Sequence, residues 1–188
     1  MSGPFPAPPR RIFLDTNVVN FILDHGEAIF ESQEIDERLS EGERLNVIAL
    51  HNFFLAGQRV QWQIAISPKT YEEVMATPGS GRRHDLLRWF NELWVYWRDI
   101  CSDEENFEHD PEEAIPAGFD LASALSCFPD ESDRELIVDA IEYKCDIFLT
   151  RDGRTILRHR HKAVGLPLEI MSPAELGERL RPWLRLIC

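Results

Sequence analysis

A chain of 188 residues with 44% hydrophobic content is long enough to bury a real core, and the length fits one domain better than two. No apolar stretch approaches the roughly 20 residues that a bilayer span needs, which excludes a membrane-spanning role. The net charge of −13 argues at first against a nucleic-acid partner, yet the charge is lopsided: Arg134 is the only Lys or Arg from Asp99 to Glu142, whereas Arg151, Arg154, Arg158, Arg160 and Lys162 crowd one stretch.

Residues 1–10 are proline-rich and lack the charged and apolar regions of a secretory signal, so they read as a flexible arm ahead of a single domain over 11–188. Cys101, Cys127, Cys145 and Cys188 are scattered without a Cys-x-x-Cys pair, which fits reduced thiols and a cytoplasmic location. Arg11 to Asp15 then reads as a short apolar strand that delivers a carboxylate at its end. A helix is predicted over 43–56, stopped by Gly57.

A second strand spans Trp62 to Ile66, and Ser67-Pro68 starts the next helix, serine as N-cap and proline at the first helical position, where its missing N–H costs nothing. The spacing of Leu86, Leu87, Phe90, Leu93, Trp94 and Trp97 predicts a helix over 82–100, its aromatic stripe facing either the core or a partner. Residues 101–131 turn acidic and proline-bearing, an expected insertion with a short helix over 119–128. Ser132-Asp133-Arg134-Glu135 has capping-box spacing, and Asp146 to Thr150 forms a third strand. A fourth runs from Leu166 to Met171 before Ser172-Pro173, a second Ser-Pro helix start.

Continuous apolar strands alternating with helices predict a three-layer α/β/α fold around a central parallel sheet of about four or five strands. In such a sheet strand C-termini and helix N-termini share one rim. Asp15 ends the first strand, Asp152 lies just past the third, Asp133 falls in the first turn of the helix before it, and Glu73 lies in the second turn after the second strand. Helical phase favours Asp133 over Asp139 and Glu73 over Glu72.

Each acid also has a purely structural explanation: Asp15 as a helix cap, Asp152-Gly153 as a turn, Asp133 complementing a helix dipole, Glu73 solvated. Together, several carboxylates on one rim resist ionising unless a cation compensates them, and an all-oxygen donor set selects Mg²⁺ or Mn²⁺. That chemistry suits phosphodiester hydrolysis. A haloacid-dehalogenase-type phosphatase would also place an acid after the first strand, but its second aspartate would stand at Asn17.

The set Asp15-Thr16-Asn17, Ile66-Ser67 leading to Thr70 and Glu73, Asp133 with Leu136 and Ala140, and Leu149-Thr150-Arg151-Asp152 resembles the PIN-domain ribonucleases. The resemblance implies that Asp15, Glu73, Asp133 and Asp152 form an acidic quartet supported by Asn17 and Thr150. It also implies Mg²⁺- or Mn²⁺-dependent hydrolysis of single-stranded RNA. Many such proteins belong to toxin–antitoxin pairs, so an antitoxin-like inhibitory protein is a candidate partner beside RNA, and a second copy of the chain is another. A catalytically idle PIN-like module that binds RNA or protein is the alternative. For RNA, Arg82, Arg83, Arg88, Arg151, Arg154 and Arg158 form a candidate phosphate track, with a merely solvated basic helix as the other reading of the last three.

Overall fold

The computed structural model describes residues 8–57, 60, 62–77, 82–102, 115 and 118–187. Four parallel strands, β1 (Arg11–Leu14), β2 (Gln63–Ala65), β3 (Ile147–Leu149) and β4 (Glu169–Met171), form a sheet of order β2-β1-β3-β4. The helices are α1 (Thr16–Asp24), α2 (Gly26–Phe30), α3 (Glu41–Gly57), α4 (Pro68–Ala76), α5 (Arg82–Ser102), α6 (Leu121–Leu125), α7 (Glu131–Glu142) and α8 (Pro173–Ile187). With helices on both faces, the fold is the expected three-layer α/β/α arrangement. None of the described helices is long and apolar enough to cross a membrane.

The central strands are apolar because both of their faces are covered. Ile12, Phe13, Leu14, Phe148 and Leu149 are fully buried, and the Phe13 and Phe148 rings stack at 5.3 Å on neighbouring strands. Each such side chain contributes roughly 1.5–3 kcal/mol through its removal from water. Arg11 is tolerated in β1 because its Nε donates to Gln63, its NH1 to the Tyr143 carbonyl, and its guanidinium lies over Trp97.

Helix starts follow local chemistry. Ser67 accepts the Thr70 N–H at 3.0 Å with Pro68 next, as expected. Ser172 and Glu175 exchange capping bonds at the head of α8. The capping box expected at Ser132 does not form: Asp130 caps α7 and accepts the Ser132 N–H at 2.8 Å, since an aspartate after Pro129 offers a stronger acceptor earlier in the chain. The third helix starts at Glu41, before the expected 43, because Ser40 and Glu43 form a capping box there. The fourth strand starts only at Glu169: Gly165 has φ +89° and Pro167 has no N–H for a ladder.

The aromatic stripe of α5 is core, with Phe90 and Trp97 buried and Leu87, Leu93 and Trp94 packed against them. The three described cysteines are free thiols. Most of the expected arm and much of the expected insertion lie outside the described residues. Within 118–131 the short helix narrows to Leu121–Leu125, capped by Asp120 on the Ser123 N–H.

Candidate metal centre

The chain leaves β1 toward β2 on one side and leaves β3 toward β4 on the other, so the strand order reverses between β1 and β3. Open α/β sheets form a crevice at the carboxyl ends of the strands that flank such a reversal. The Asp15 N–H donates to the Leu149 carbonyl and the Thr150 N–H to the Met171 carbonyl, both at 3.0 Å, so the ladder continues past the strands and sets Asp15 beside Thr150 in that crevice.

Asp15 stands at the N-cap position of α1, yet its side chain makes no capping bond. Its Oδ2 instead accepts from Thr150 Oγ1 and Asn17 Nδ2, each at 2.6 Å. Asn17 also reaches Thr150 Oγ1 at 3.2 Å, and its Oδ1 accepts the Arg151 N–H at 2.8 Å. One amide therefore ties the acid, the hydroxyl and the loop leaving β3. Asp15 is only 4% exposed and has no cationic partner among the described residues. Burial pushes its carboxyl up to about 6; the Thr150 hydroxyl opposes the shift and nearby Asp133 adds to it.

The other three acids join through hydroxyls and amides. Asp152 Oδ1 accepts the Arg154 and Thr155 amides, each at 2.7 Å, and its own N–H donates to Thr150 Oγ1 at 3.0 Å. Burial opposes its ionisation, but the backbone amides that follow it and the Thr155 hydroxyl prevail and hold its pKa below the usual aspartate value. Asp133, in the first turn of α7, accepts Thr155 Oγ1 at 2.6 Å. Burial raises its pKa, and the charges of Asp130 and Asp152 raise it further. Glu73 is the most exposed of the four; its Oε2 accepts Thr16 Oγ1 at 3.0 Å, and Thr16 also contacts Thr70.

The rim thus gathers Asp15, Asn17, Thr150 and Asp152 directly, Asp133 through Thr155, and Glu73 through Thr16. Among the described residues, no three His, Cys, Asp or Glu side chains are close enough to enclose a cation ready-made. Sequence reading passed over Lys69, whose ammonium pairs with Glu135 at 2.8 Å and acts on both Glu73 and Asp133. It also gave no role to Thr155 and none to the Thr16 hydroxyl; the only local signal was a threonine within three residues of an acid.

The arginines divide. Arg154 and Arg158 are exposed and free of ion pairs among the described residues. They stand on consecutive turns that end in a short 3-10 segment, Arg160–Lys162, rather than on a basic helix. Arg88 is exposed on α5 beside Glu92. Arg83 is drawn inward to Asp24 and Asn20. Arg151 lies 3.7 Å above the Phe21 ring and pairs with Glu43 at 3.6 Å, because a flat cation gains more over an aromatic face beside a carboxylate than in water. The side chain of Arg82 lies outside the described residues.

No protein-family model, no curated protein and no solved structure matches this chain.

Proposed function

We propose that this protein is a Mg²⁺- or Mn²⁺-dependent endoribonuclease of PIN type that cuts single-stranded RNA, with Asp15, Glu73, Asp133 and Asp152 as its acidic site. The observation that carries this reading is Asp15, an almost fully buried carboxylate in the crevice between β1 and β3, next to other acids and without a cation of its own among the described residues. Such a group is costly as an anion until a positive charge compensates it.

The donor set fits a hard ion. All four groups offer oxygen, and among the described residues their shortest hydrogen bonds converge on one atom of each, Asp15 and Asp133 on Oδ2, Glu73 on Oε2 and Asp152 on Oδ1, so the other oxygen of each is the candidate ligand. When bound, the ion supplies a Lewis acid for a phosphoryl oxygen and lowers the pKa of an attacking water.

The chain's own residues supply position and charge. Thr150 and Asn17 fix the orientation of Asp15, as outer partners do for metal-ligating carboxylates. Arg154 and Arg158, on the turns that follow Asp152, provide phosphate contacts on one side of the acids, and Lys69 provides a cation on the side of Glu73 and Asp133.

The test is cleavage of a labelled single-stranded RNA by the full chain with Mn²⁺, with a chelator, and by Asp15→Asn after its fold is verified. Cleavage that needs both the ion and the carboxylate supports the assignment. RNA that is bound but left intact makes the protein a binding module, and cleavage indifferent to both changes belongs to another mechanism.

A further inference from the structure

Thr155 touches two of the four acids at once. Its hydroxyl donates to Asp133 Oδ2 at 2.6 Å, and its backbone N–H donates to Asp152 Oδ1 at 2.7 Å. The two acids belong to different elements, one to the first turn of α7 and the other to the exit of β3. Both are carboxylates, so as anions of like sign they repel one another. Thr155 sits between them and satisfies one oxygen of each.

The threonine is itself held in place. The side chain that follows it, Ile156, is fully buried, and the Leu157 N–H closes the turn on the Asp152 carbonyl at 2.8 Å. His159 Nδ1 donates to the Thr155 carbonyl at 2.9 Å, an assignment that follows from a carbonyl being able only to accept. The hydroxyl is therefore presented by a braced turn, and its position does not depend on solvent.

We propose that Thr155 is a positioning residue that latches Asp133 to Asp152, setting the spacing at which their remaining oxygens ligate one divalent cation. The inference rests on the metal-dependent reading of the same site. It assigns work to the side-chain oxygen alone: serine preserves the latch, whereas valine, nearly the same shape, abolishes it.

The experiment is calorimetric titration of Mn²⁺ into the full-length wild type, Thr155→Val and Thr155→Ser, with the melting temperature of each recorded in chelator. Loss of an outer-shell partner is expected to weaken Mn²⁺ binding by roughly 10–100-fold in the valine variant, with serine close to wild type. Thr155→Ala, for which the same loss is expected, replaces valine should that variant not fold. Equal affinity in the valine variant and the wild type overturns the latch and leaves the metal site standing. A serine variant as weak as valine overturns it too, because the side-chain oxygen alone then does not maintain the site. A wild type that takes up no Mn²⁺ overturns the metal reading, and the latch with it.

Discussion

Thr150 Oγ1 donates to Asp15 Oδ2 at 2.6 Å across 135 positions of sequence, so the exit of β3 holds the carboxylate that β1 delivers. The same hydroxyl accepts the Asp152 N–H at 3.0 Å. One side chain thus relays between two acids of the rim, and the geometry of the site follows from the pairing of β1 with β3.

The buried state of Asp15 has a consequence for stability. Its carboxyl rises from 3.8 to about 6 on folding, so the native state binds this proton more tightly than the unfolded chain does. The contribution is fully present below pH 3.8 and is lost as pH rises through about 6. Above that, the ionised group costs on the order of 3 kcal/mol. In chelator, the wild type should therefore lose stability between about pH 4 and pH 6.5 relative to Asp15→Asn, and Mn²⁺ should restore it at neutral pH in the wild type alone. Urea unfolding across that range measures both effects; parallel curves for the two proteins would show that Asp15 carries no shifted proton.

The pattern of apolar residues made much of this arrangement readable. Arg11 to Leu14 and Ile147 to Leu149 are continuous because both faces of each strand are covered, and parallel strands must bring Asp15 and Asp152 to one edge. Helical phase separated Asp133 from Asp139 even though Asp130, not Ser132, caps that helix. The hydroxyl links were not readable: Thr16 finds Glu73 and Thr155 finds Asp133 only when distant elements meet. Nor does sequence distinguish an arginine that reaches for phosphate from one that lies on Phe21, because the ring under Arg151 is supplied by α1.

The crossing of α3 and α8 depends on one glycine. A Cβ built on Gly177 would lie 3.0 Å from the Ala49 Cβ, so the two helices approach as closely as small residues allow. Gly177→Leu should force them apart and destabilise the fold by about 1–3 kcal/mol, read as a lower denaturant midpoint at unchanged slope. A midpoint equal to wild type would mean that the helices separate without penalty.

Glu175 ties the head of α8 to the basic turns. It accepts from Ser172 and pairs with Arg160, which also covers the Ile170 carbonyl on the edge strand. The Arg160 guanidinium, helped by the Ser172 donors, holds the Glu175 carboxyl down at about 2 from 4.5, so its stabilisation is present above pH 4.5 and is lost as pH falls through about 2. The pair is partly solvated, which reduces the expected loss in Glu175→Gln to about 1 kcal/mol at neutral pH. That difference between wild type and variant should shrink on acidification below pH 4.5, and a constant difference would remove the ion pair as its cause.

The arginines provide the sharpest contrast between a structural role and the proposed binding role. Arg154 and Arg158 are exposed and free of ion pairs among the described residues, whereas Arg151 is engaged with Phe21 and Glu43. Each phosphate contact to a single strand contributes about 0.7 to the slope of log affinity against log salt. Replacing both Arg154 and Arg158 with glutamine should therefore lower that slope by about 1.4, with little change in melting temperature. Arg151→Gln should do the reverse: it uncovers the Phe21 face, costing about 1–2 kcal/mol of stability for the lost cation–π contact, while the slope changes little. Binding is measured on single-stranded RNA with Ca²⁺ in place of Mn²⁺ over a salt series. An unchanged slope in the double variant would remove the turns after Asp152 from the RNA path, and a reduced slope in Arg151→Gln would return that residue to it.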